Sequence, residues 1–172
     1  MNTLESLGFP TVIYNTLSLE ELARLAVGEE NVYNISMSIP FGLLKHTKGD
    51  SMMVVMYPRL VPCPDWVTAK KAARLLMAQG YILGNISELV QFTAQYPQEV
   101  AKYSAVLALD EDSRWNNSDT DICVPFVTID GSKRCLRGYR IDHLLSPEDS
   151  ILVFEKEKVS HRPLVAAPPP VL

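Results

Sequence analysis

Ile122-Cys-Val-Pro-Phe-Val-Thr-Ile-Asp-Gly-Ser-Lys-Arg-Cys-Leu-Arg-Gly-Tyr-Arg140 reads as two strands around one turn. Asp130-Gly131 is a hairpin dipeptide, because Asp and Gly tolerate the positive φ that tight hairpin turns require. β-branched and apolar residues flank it on both sides. Pro125 has no N–H to give to a ladder. Its strand therefore lies at an edge, or its nitrogen faces away from a neighbour. Working outward, Tyr103-Ser-Ala-Val-Leu-Ala-Leu109 and Ile151-Leu-Val-Phe-Glu155 are apolar runs of strand length. The pattern predicts strands near 104–109, 122–129, 133–141 and 150–157, forming an antiparallel four-stranded sheet.

The N-terminal part mixes helices and strands. Thr11-Val-Ile-Tyr14 is a short strand after Pro10. Ser18 with Glu21 is a capping box, followed by the stripe Leu19, Leu22, Leu25 and Ala26, and Gly28 is the helix stop. Val32 to Ile39 alternates and reads as a strand, with Asn34, Ser36 and Ser38 on its polar face and Tyr33, Ile35, Met37 and Ile39 on its core face. Ser51 to Tyr57 is a second, more buried strand that pairs with it across a long Pro40–Asp50 loop. Asp65 caps a helix over 66–79, ended by Gly80, with Trp66, Ala69, Ala73, Leu76 and Met77 on its apolar face. Asn85 with Glu88 boxes a helix over 86–96, and Pro97 opens one more turn.

These elements predict an α+β fold. A mixed α/β part, residues 1–102, packs with the β part, 103–159. An extended Pro-rich tail follows, 160–172. The parts are expected to form one unit, since no Gly/Ser-rich linker separates them.

Composition narrows the function classes. Apolar residues are 47% and charged residues 21%, ordinary for a globular chain. The net charge of −4 divides evenly, with −2 in residues 1–100 and −2 in 101–172. That argues against binding nucleic acid through bulk charge. No apolar run is long enough for a membrane span, and the first ten residues lack the pattern of a secretory signal. Three cysteines without CxxC make a poor disulfide or zinc framework, which points to a reducing, cytoplasmic setting.

No motif specifies a chemistry. Asn117, Asp119 and Asp121 have the first spacings of an EF-hand, but Ile122 stands where that loop needs Gly, and Thr128 where it needs Glu. His46, His143 and His161 lie far apart, without Cys or His partners nearby. Cys123 and Cys135 fall in strands, where free Cys is usually a small buried hydrophobe. Gly80 to Gly84 is a helix stop and a connector, not a phosphate loop. No catalytic residue, cofactor or metal ligand is assigned.

The positive signal is charge on the hairpin. Lys133, Arg134, Arg137 and Arg140 fall within eight residues, next to an acidic loop holding Trp115. They form either a basic ridge for a partner or a solvated face balanced by Asp119, Asp121, Asp130 and Asp142. Trp115 either folds onto the sheet or presents an anchor. Lys70, Lys71 and Arg74 form a second basic cluster, read as a solvated helix face.

The C-terminal stretch also resembles a short β module found at the ends of uncharacterised bacterial and phage proteins. The residues that carry the resemblance are Ser113-Arg-Trp115, Val124-Pro-Phe-Val127, Asp130-Gly-Ser132 with Arg134 and Leu136, and Ile151-Leu-Val-Phe154. It covers about a third of the chain and implies no activity.

The expectation is a non-enzymatic binding protein, phage- or mobile-element-encoded, that contacts another protein. Its expected contact residues are Lys133, Arg134, Arg137, Arg140, Trp115 and Tyr139. The alternatives are nucleic-acid binding through the same arm, with Trp115 or Tyr139 for stacking, and a small enzyme using Asp119 or Asp121 with His143. A membrane partner is not expected.

Overall fold

A computed structural model describes residues 8–13, 16–44, 54–63, 65–118 and 121–155. His46, His161, Asp119, the 160–172 tail and parts of the loop and strand read over 40–57 lie outside these residues. In chain order the elements begin with β1 (Thr11–Ile13), α1 (Leu19–Val27), β2 (Val54–Met56), β3 (Arg59–Pro62) and β4 (Val67–Thr68). Next come α2 (Ala69–Ala78), β5 (Tyr81–Leu83), α3 (Ile86–Gln95), α4 (Pro97–Val100), β6 (Val106–Leu107) and β7 (Trp115–Asn116). The last described elements are β8 (Ile122–Asp130), β9 (Lys133–Arg140), β10 (Leu144–Leu145) and β11 (Ser150–Glu155). The α+β class holds.

Local capping chemistry sets the helix starts. Glu21 N–H donates to Ser18 Oγ at 3.2 Å, and Ser18 N–H donates to the Glu21 carboxylate. Asn85 and Glu88 exchange the same pair of bonds at α3, at 3.0 and 2.8 Å. Gly28 ends α1 with φ 83°, a conformation only Gly adopts cheaply. Ser18→Ala is expected to cost about 1 kcal/mol, read as a lowered urea midpoint with an unchanged slope. α2 starts later than its sequence predicts. Thr68, not Asp65, is the cap, and Asp65 Oδ1 instead accepts the Trp66 N–H at 2.8 Å.

Among the described residues the main sheet has seven strands and is not the antiparallel four-stranded sheet expected from the C-terminal pattern. β11 is its hub, pairing antiparallel with β3 and β5 but parallel with β6. β3 and β5 precede residue 102, so strand pairing crosses that position. Beyond β6 lies β8, flanked by β6 and β7 on one side and by β9 on the other.

Alternation distributes the strand side chains between two cores. Leu152, Val106, Val127, Leu136 and Trp115 join α1 and α3 on one face. Ile151, Val153, Leu107 and Val124 join α2 on the other. A sheet covered by helices on both faces explains why the β11 run is apolar without interruption.

Pro125 sits inside this sheet rather than on its edge. Its carbonyl accepts the Ala108 N–H at 3.1 Å, but its ring nitrogen returns nothing. β6 accordingly ends at Leu107, one residue earlier. The missing donor thus falls where a neighbouring strand stops.

Two sequence expectations change. Val32–Ile39 is not a strand. Glu29–Asn34 is a 3-10 turn, and only Ile35 bridges to a strand, alongside Leu136. The cause is amide chemistry. Asn31 Nδ2 donates to the carbonyls of Val27 and Ser132, at 3.1 and 2.9 Å, and Asn34 Nδ2 donates to Asn31 Oδ1 at 3.2 Å. These amides fasten the turn to the end of α1 and to the hairpin loop, which holds 31–34 out of an extended path. β2 therefore pairs with β1, not with 32–39. The connector after Gly80 also proves to be a strand, β5.

Candidate functional site

The hairpin forms in the expected place, shifted by one residue. Asp130 pairs with Lys133, so the loop is Gly131-Ser132, opened by Gly131 at φ 57°. Period-two geometry then splits the basic arm between two faces. Arg134 and Arg140 share the face of buried Leu136, toward α1 and α3. Lys133 and Arg137 share the face of Tyr139.

The basic residues also differ in what they touch. Arg134 Nη1 donates to the Ala26 carbonyl at 3.3 Å, placing a cation at the C-terminal end of α1, where the helix dipole favours it. Arg140 Nη2 lies 3.2 Å from Asp121 Oδ1 and 3.0 Å from Asp142 Oδ2. The hydrogen bond from Arg140 holds the Asp142 carboxyl below its ordinary range. Lys133 and Arg137 are exposed, with no ion pair among the described residues.

The aromatic members diverge too. Trp115 folds inward and is 7% exposed, its ring over Gly138. Tyr139 is half-buried, edge-on to Phe126 and His143 at 5.6 and 5.8 Å, and its hydroxyl donates to the Leu144 carbonyl at 2.6 Å. Burial pushes its phenol above the ordinary range. The structure therefore brings together Lys133, Arg137 and Tyr139, and separates them from Arg134, Arg140 and Trp115.

The thiols and the Asp/His pair offer little chemistry. Burial raises the Cys63 and Cys123 thiols, so neither is primed as a thiolate. Asp121 is engaged by Arg140, and His143 rests on Tyr139. Among the described residues no cluster of three His, Cys, Asp or Glu is placed to hold a metal ion. No helix among them is long and apolar enough to cross a membrane.

The sequence pattern missed the free edge of the sheet. In this register the backbone groups of Arg134, Leu136, Gly138 and Arg140 point away from β8, as the bond from Ile141 N–H to the Ile122 carbonyl confirms. The Leu136 carbonyl takes the Ser36 N–H at 2.9 Å. Past that point the outward N–H groups of Gly138 and Arg140 meet no partner among the described residues. The 3-10 turn and the segment that follows it beside this edge carry large exposed apolar side chains. Tyr33 is 78% exposed, Leu43 84%, and Met37 fully. A groove of about 290 Å³ lies between this segment and α1, lined by Val32, Ile35, Met37, Ile39 and Phe41. Strand periodicity assigned Tyr33 and Met37 to the core, and the 3-10 turn reverses that.

Compared with protein-family models, with curated proteins and with solved structures, the chain matches none.

Proposed function

We propose that this is a non-enzymatic binding protein that acts through protein–protein contact along the outer edge of β9. One observation carries the reading: exposed Tyr33 and Met37 lie beside a strand edge whose Gly138 and Arg140 N–H groups have no partner among the described residues. Exposed apolar groups of this size mark contact surfaces, and an unpaired edge accepts an extended backbone. Lys133 and Arg137 flank it and favour an acidic partner segment over a second copy of the same basic edge. Support for a cytoplasmic setting comes from three thiols that are all free and buried. Phage or mobile-element origin rests on the C-terminal resemblance.

Met37→Asp combined with Arg137→Glu is expected to abolish stoichiometric capture of a partner from host lysate. The melting temperature should stay within about 2 °C, since neither side chain is packed. Arg134 is left intact in this test because it caps α1. Unchanged capture by the double variant would overturn the reading. A salt-sensitive mobility shift with single-stranded DNA would replace it with the nucleic-acid alternative.

A further inference from the structure

A second surface lies just past the C-terminal end of β9, where β4, β10 and the start of α2 meet. Trp66, the residue before β4, is 63% exposed, and Leu144 on β10 is 55% exposed. Leu144 pairs with Thr68, two residues from Trp66. The corner is rigid at the backbone. Ala69 N–H donates to the His143 carbonyl at 3.3 Å, and Lys70 N–H to the Ile141 carbonyl at 3.0 Å. The first turn of α2 is thereby fastened to the loop that carries Leu144.

The outer side of α2 adds Lys70, Lys71 and Arg74, all exposed, with no acid anywhere in the helix. None of the three has an ion pair among the described residues. Of the acids adjoining these elements, Asp142 pairs with Arg140, and Asp65 accepts the Trp66 N–H. Met77, two turns beyond Lys70, is also exposed. Large apolar groups and unpaired cations thus share one rigid corner.

Charge decides what fits there. The chain carries −4 in total, so removing these three cations leaves −7 over everything else. A remainder of that net charge disfavours an extended polyanion or an anionic membrane as the partner. Screening confines attraction to about 8–10 Å, the reach of a short acidic stretch. An exposed Trp with a neighbouring Leu supplies the apolar anchor typical of protein contacts.

We infer that this corner is a docking site for an acidic amphipathic segment of another protein, with its apolar ridge on Trp66 and Leu144 and its carboxylates on Lys70, Lys71 and Arg74. The two sites use different side chains, Trp66, Leu144, Lys70, Lys71 and Arg74 here and Tyr33, Met37 and Arg137 at the β9 edge, so each can be disabled by its own substitutions.

The test uses the full chain and a synthetic amphipathic helix of about 18 residues, with a Leu stripe flanked by Glu. Trp115 is buried, so a change in the emission of exposed Trp reports Trp66. Binding of the labelled helix should be saturable at low salt. It should weaken at least about tenfold in Lys70→Glu/Arg74→Glu, and about tenfold in Trp66→Ala. Met37→Asp/Arg137→Glu should leave it unchanged. Equal binding of a scrambled Leu/Glu peptide would overturn the proposal. So would full binding by the Lys70/Arg74 or Trp66 variants, tighter binding to phosphatidylglycerol vesicles or single-stranded DNA, or no binding at all. All the substituted side chains are exposed, and an unchanged melting temperature verifies that each variant folds.

Discussion

Trp115→Ala is expected to cost about 3–5 kcal/mol, a large share of the stability of a domain this size. The side chain is 7% exposed and packs in the core shared by α1, α3 and the sheet. Its ring closes on Gly138, where a Cβ would stand 2.6 Å from Cζ2 and 3.1 Å from Cη2. Gly138 is thus the glycine of β9 because the indole occupies the space of a side chain. The indole Nε1 is buried without a partner among the described residues, a standing cost of about 1–3 kcal/mol. Trp115→Phe removes that orphan donor and keeps most of the apolar contact, so it should cost far less than Ala.

Gly138→Ala alone should cost about 1–3 kcal/mol through overpacking. In a Trp115→Leu background the added methyl has room, so the two changes should couple by about 0.5–3 kcal/mol. Urea unfolding of the four proteins measures the coupling. Strict additivity would show that the ring relaxes elsewhere and does not dictate Gly138.

Glu88→Gln is expected to stabilise the protein at neutral pH and above, and to flatten its pH profile. Burial raises the Glu88 carboxyl from 4.5 to about 7; the Asn85 N–H opposes this and the nearby Asp110 carboxylate adds to it. The folded state therefore holds a proton that the unfolded chain releases near 4.5. The stability from this group is fully present below about 4.5 and is lost as pH rises through about 7.

The rise corresponds to at most about 3 kcal/mol, reduced by the roughly 0.3–1 kcal/mol that a charge gains at a helix N-terminus. Gln keeps an acceptor for the Asn85 N–H, so the capping box survives. Urea midpoints should fall between about pH 5 and 8 in the parent and stay level in the variant. A parent profile that is flat over this range, or a Gln variant weaker at high pH, contradicts the burial account.

The features legible in the sequence are those whose physics is local. Ser18/Glu21 and Asn85/Glu88 satisfy helix-end groups with side chains three residues away, and both boxes form as read. Gly131 opens the hairpin because its own φ is positive. Strands β3, β5 and β7 were not legible. They are two to four residues long, and pairing with β11 or β8 makes them strands, not their own periodicity. Val32–Ile39 misled for the opposite reason. Its alternation was real, but buried Asn31 found backbone carbonyls on α1 and the hairpin loop, and Asn34 found the Asn31 side chain.

The candidate contact residues divide along the same line. The amino-acid sequence by itself determined that Lys133, Arg134, Arg137 and Arg140 sit on one strand and that Trp115 lies near it, because strand and turn propensities act over a few residues. Only the tertiary structure decided which of them are engaged within the chain. Arg134 answers to the Ala26 carbonyl, Arg140 to Asp121 and Asp142, and Trp115 to the space over Gly138. It also exposed Met37, Tyr33 and Trp66, which periodicity had assigned to the core. Burial is set by what packs from distant parts of the chain, and a pattern in one segment carries no record of its neighbours.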